Sequence, residues 1–184
     1  MKIKEYKIIS NEKDGSFPKL YLITEHNVLY DEIYLYHHYN NYEFEYMFFG
    51  DTLKLQNNYV EYFYVMSYDE MDKPIGIIQI SSGGRTETAI PFDTMFTYLL
   101  LTGSKSFITI HNHPNNYSNK SNEDKLSESS IKTLSELLNI VYKQGLIITK
   151  EIIMELHQDI NDFNKSFFGE EDFIPYEDFI SYNQ

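Results

Sequence analysis

Apolar and polar positions follow two rhythms along this chain, and the switches between them mark out the expected elements. KEYKIIS (4–10) and KLYLITE (19–25) read as two short strands around the turn-rich NEKDGSFP. Residues 28–50 are apolar and aromatic at mixed spacing, which predicts a helix. YVEYFYVMSYD (59–69) is dense in aromatic and β-branched residues and predicts a buried strand. MDKP turns the chain, and IGIIQIS forms the second strand of a hairpin. Ser81-Ser82-Gly83-Gly84 breaks that strand, and a short extended piece, TETAI, follows. Pro91 then opens PFDTMFTYLLLTG. Here Phe92, Met95, Phe96, Leu99 and Leu100 share one helical face, with Pro91 at the first turn and Gly103 at the end.

SFITI is the next core strand. Beyond the polar loop NNYSNKS, a helix is expected from about Asn122 to Gln144, stopping at Gly145. Its inner stripe would be Leu126, Ser130, Leu134, Leu137, Leu138 and Val141. LIITKEIIM (146–154) reads as a further strand. The end, from Glu155, sets eight acids against the single Lys165, a solvated helix and loop packed by Phe163, Phe167, Phe168 and Phe173. The order of elements implies an α/β fold, a mixed β-sheet flanked by helices, rather than a doubly wound parallel sheet. Gly83-Gly84 lacks the strand–GxGxxG–helix context of a phosphate loop, and there is no internal repeat.

Composition narrows the function. The 184 residues suffice for one domain with a sizeable core, and 42% apolar with 16% aromatic content is a globular profile. A net charge of −13 argues against gripping nucleic-acid phosphates or anionic membranes. There is no cysteine, hence no disulfide and no thiolate metal site, which fits a reducing cytoplasm. MKIKEYKIIS lacks the apolar core of a signal peptide, and no run approaches the ~20 apolar residues of a spanning helix.

The candidate chemistry lies in FITIHNHPNNYSNKSNED (107–124). His111 and His113 are spaced i, i+2, so on a strand they point the same way. Pro114 should end that strand and swing the chain outwards. Seven residues later comes Ser121, and Asp124 is three further on. Two imidazoles and a carboxylate form a three-ligand set that holds a catalytic zinc with one position left to water. Ser-x-x-Asp at a helix start is also a capping box, and the two roles are compatible. His37 and His38 are adjacent and would point about 100° apart on a helix. They read as ordinary histidines, as do the isolated His26 and His157.

His111-x-His113, seven residues, Ser121, two residues and Asp124 match the His-x-His-x7-Ser-x2-Asp signature of the JAB/JAMM (MPN+) metallopeptidase family. HNHP after GSKSFITI resembles its RadC-like branch. Upstream, EYFYVMSYD, KPIGIIQIS and a Gly resemble that branch's opening hairpin, and the likeness covers about residues 59–154. It implies a three-layer, cytidine-deaminase-like JAB/MPN domain over 56–155, with an N-terminal extension at 1–55 and an acidic aromatic tail at 156–184. It also implies one Zn²⁺ on His111, His113 and Asp124, with Glu61 as general base and Ser121 stabilising the oxyanion. The substrate would be a peptide or an isopeptide-linked protein. Spacing alone would not select Glu61 over Glu87.

The chain departs from the branch where Asn115-Asn116 replaces Ser-Gly, where Phe92-Asp93-Thr94 replaces Pro-Arg-Glu, and where Lys150-Glu151 replaces a late Asp-His. Those changes touch substrate and partner contacts rather than the ligand set. Two other functions fit the resemblance: a DNA-repair or mobile-element-associated factor, and a catalytically silent MPN-type binding module. Acidity weighs against the first, and the intact ligand set weighs against the second. The oligomeric state is not legible in these residues.

Overall fold

The computed structural model describes residues 1–9, 17–28, 42–83, 90–168 and Pro175. Six strands form one mixed sheet: β1 (Lys2–Ile9), β2 (Lys19–Asn27), β3 (Glu61–Tyr68), β4 (Pro74–Gly83), β5 (Ser106–Asn112) and β6 (Val141–Ile148), in the order β2-β1-β4-β3-β5-β6. Among the described residues the helices are α1 (Glu43–Met47), α2 (Phe92–Leu101), α3 (Asn122–Leu137) and α4 (Lys150–Phe168). A π-helical turn, Phe48–Thr52, and a 3₁₀ turn, Leu55–Asn57, follow α1. Pairing is antiparallel for β1/β2, β3/β4 and β3/β5, and parallel for β1/β4 and β5/β6. This is the α/β architecture that the sequence implies.

Strand alternation sorts the core into two layers. Met66 and Tyr68 of β3 join Ile108, Ile110, Leu146 and Ile148 against Phe48, Phe49, Ile153 and Ile160, on the α1/α4 side. Phe63 and Val65 join Ile78, Ile80 and Phe107 against Met95, Phe96, Leu99 and Ile131, on the α2/α3 side. The expected β3–β4 hairpin, α2 and β5 all form. Gly103 closes α2 at φ 66, a backbone conformation that favours glycine. The two N-terminal strands also form, and they extend the sheet beside β4.

The segment after Asn122 corrects the sequence reading. α3 ends at Leu137 rather than Gln144, because Asn139 takes a left-handed conformation (φ 56). Gly145 therefore sits inside β6, and Lys150 begins α4, so LIITKEIIM is half strand and half helix. The inner face of α3 is Asp124, Ser127, Glu128, Ile131, Leu134 and Ser135, whereas Leu126 and Leu137 are exposed. No described helix is long and apolar enough to cross a membrane. Several expectations lie outside the described residues: the first part of the 28–50 helix with His37 and His38, most of TETAI with Glu87, and the chain from 169 apart from Pro175. The side chains of Phe163, Phe167 and Phe168 also lie outside them.

Candidate metal centre

β5 carries Phe107, Thr109 and His111 on the α2/α3 side, so His111 faces the first turn of α3. The strand ends at Asn112, as the following Pro predicts. His113 stays close because its backbone N–H donates to the Ile148 carbonyl (3.3 Å) and a turn bonds Asn116 N–H to the His113 carbonyl (2.9 Å). The two Nε2 atoms lie 2.8 Å apart. Asp124 Oδ1 is 3.4 Å from His111 Nε2, and its Oδ2 is 3.4 Å from His113 Nε2. These three are the metal-capable group among the described residues, with ligand atoms all within 4.8 Å of one another.

The donors suit a divalent ion. His113 Nδ1 lies 2.6 Å from the Tyr117 carbonyl, to which it donates, leaving Nε2 as the ligand nitrogen. Two facing imidazole nitrogens need a proton or a cation between them, and a carboxylate closes the third side. Burial pushes the Asp124 carboxyl up, but the neighbouring His111 and His113 rings and the Ser121 N–H hold it well below the usual range. The site thus presents a firm anion. Burial pulls His113 down, yet Asp124, the Tyr117 carbonyl and Glu61 together leave it raised. Imidazole nitrogens and a carboxylate oxygen are ligand types that a divalent metal ion accepts.

Ser121 and Asp124 form the capping box. Asp124 N–H donates to Ser121 Oγ (3.0 Å), and Ser121 N–H donates to Asp124 Oδ2 (2.7 Å). Because Oγ accepts in this cap, its own proton is left to donate elsewhere. Glu61 opens β3 and lines the same cavity as His111, His113, Ser121 and Asp124, about 430 Å³ in volume. Burial raises the Glu61 carboxyl, and the field of Asp124 adds to this while His111 and His113 oppose it.

Three features had no sequence signal. Phe63 lies against the His111 ring, with centroids 6.1 Å apart and planes at 14°. Tyr117 contributes only its carbonyl, which no side-chain pattern reveals. Elsewhere in the cavity lining, Glu128 accepts from Lys120 (2.7 and 2.8 Å), the Tyr142 hydroxyl (2.9 Å) and the Gly145 N–H (3.1 Å). His26 and His157 stand apart from this centre and face Glu5 (2.7 Å) and Asp51 (3.0 Å).

Residues 41–159 match the family profile described as the RadC-like JAB domain. A UPF0758 protein of Flavobacterium johnsoniae is 34% identical over 90 residues, which cover 49% of this chain and 39% of the relative. A UPF0758 protein of Coprothermobacter proteolyticus is 28% identical over 96 residues, 52% of this chain and 41% of the relative. The chain thus spans about two fifths of the length of these curated relatives.

Proposed function

The chain belongs to the RadC-like JAB domain family, and on that footing we propose that it is a zinc-dependent hydrolase of amide bonds, a metallopeptidase or isopeptidase. One observation carries this reading: His111, His113 and Asp124 converge in the cavity that also holds Glu61, whose carboxyl is raised. Bound by those three residues, a zinc ion would supply Lewis acidity and a water acidified from 15.7 to about 7.

The chain's own groups account for the rest. The Glu61 carboxylate takes the proton of the attacking water and delivers it to the departing amine. Its place in the same cavity as the ligand group suits it to both halves of that transfer. The Ser121 hydroxyl, fixed by the cap and with its proton unused there, donates to the developing oxyanion. Phe63 and Ile90 line the cavity with Pro114, an apolar surface for the substrate beside the scissile bond. The substrate class is a peptide or an isopeptide-linked protein, and the lack of cysteine fits a site of action in the cytoplasm.

Elemental analysis of the purified protein, alongside His113→Ala, tests the metal. About one zinc per wild-type chain and none in the variant is expected. Turnover is tested on a panel of fluorogenic peptides and ubiquitin-like conjugates. Glu61→Gln should keep its zinc and lose hydrolysis, and equal cleavage by that variant would refute the assignment.

A further inference from the structure

Between the two candidate histidine ligands lies Asn112, 1% exposed and directed by strand alternation to the opposite side of the sheet. The ladder between β3 and β5 runs from Tyr68↔Ser106 to Phe63↔His111. Beyond that pair, the Asn112 side chain takes over. Its Oδ1 accepts from Tyr62 N–H at 2.8 Å, and its Nδ2 donates to the Val60 carbonyl at 3.0 Å. Those backbone groups flank Glu61. One primary amide, with a donor and an acceptor, replaces the peptide group of the next rung. The strands can then part at the cavity without stranding a buried polar group.

We propose that Asn112 is a positioning residue, which fixes the backbone on either side of Glu61 and so holds that carboxylate in register with the His111, His113 and Asp124 centre. The inference rests on the hydrolase reading above and deepens it. The ligands and the proton carrier sit on different strands, and the Asn112 side chain ties those strands together where the regular ladder stops. A metal ligand and its neighbour in sequence thereby set the place of a residue 50 positions upstream. Asparagine suits the role because aspartate lacks the donor for Val60 and leucine lacks both groups.

The test compares wild type with Asn112→Leu and Asn112→Asp by three readings. Hydrogen exchange at the Tyr62 amide, on metal-free protein, reads the clamp without any turnover. It should quicken at least about tenfold in Asn112→Leu and stay protected in Asn112→Asp, which keeps the acceptor. Zinc affinity, by competition with a chelator, should stay within about threefold of wild type, because the ligands are untouched. On whichever fluorogenic peptide the wild type cleaves, kcat should fall about 10²-fold in Asn112→Leu with KM unchanged, the cost of a carboxylate displaced by about 1 Å. Unchanged Tyr62 exchange, or lost protection with wild-type kcat, overturns the proposal. So does a loss of zinc parallel to the loss of activity, because Asn112 would then serve the ligands. If Asn112→Leu does not fold, Asn112→Ala, which also lacks both the donor and the acceptor, takes its place under the same three readings. No wild-type turnover on any amide would count against the hydrolase reading, and Tyr62 exchange would still decide the clamp.

Discussion

Ser121 and Asp124 hold each other through two reciprocal hydrogen bonds, and the same Asp124 carboxylate stands 3.4 Å from each histidine of the centre. The cap orients the ligand: Oδ2 is fixed by the Ser121 N–H, so the carboxylate faces the rings before any ion arrives. Asp124→Asn separates the two roles. The amide oxygen can still accept from Ser121, so the cap survives, and metal-free stability in urea should fall only by the lost attraction to the histidine pair, a deficit that shrinks as pH rises and the rings become neutral. Zinc affinity, measured by chelator competition, should fall by more than about 100-fold, because an anionic ligand is lost. Equal zinc binding would reduce Asp124 to a capping residue.

Ser121→Ala makes the complementary prediction. Metal-free protein should lose about 1 kcal/mol of unfolding free energy, the usual cost of removing an N-cap hydroxyl. On a cleavable amide, kcat should fall about 10²–10³-fold if the hydroxyl serves the oxyanion. A stability loss alone, with kcat unchanged, would leave Ser121 as a cap.

At the far end of the sheet, the Tyr68 hydroxyl donates to the buried Glu45 carboxylate. Burial raises the Glu45 carboxyl above its ordinary value of 4.5, and the Tyr68 bond and Lys143 only partly offset this. The folded state therefore binds this proton more tightly than the unfolded chain does. The stabilisation is full below the unfolded value and is lost as pH rises through the folded value. Glu45→Gln keeps an acceptor for Tyr68 and cannot ionise. Its stability relative to wild type should rise from pH 4 upwards and level off once Glu45 is ionised in the folded protein. Urea midpoints at fixed ionic strength would show this, and a gap that narrows with pH would contradict it.

The strands were legible because aromatic and β-branched runs such as EYFYVMSY and SFITI bury one or both faces of a sheet. The histidine pair and its distance to Asp124 were legible because short-range spacing carries geometry. The end of α3 was not. NIVYKQG continues a helical-looking stripe, and Gly145 resembles a stop signal, but Asn139 turns the chain six residues earlier. Moving the boundary shifts the inner stripe, so Glu128 and Ile131 face the sheet where Leu126 and Leu137 were expected. Glu61 gives no local signal. Its approach to the histidines is set by the β3–β5 register, a long-range pairing that a single sequence does not display.

Gly145 meets three polar atoms at once. A Cβ there would come 2.9 Å from the Tyr142 hydroxyl, 3.0 Å from Glu128 and 3.1 Å from Thr109. A methyl group at 145 would press on the ends of the Tyr142 and Glu128 side chains, and both would have to shift to make room. The smallest residue of β6 thus leaves room for the carboxylate that pairs with Lys120 at 2.7 and 2.8 Å.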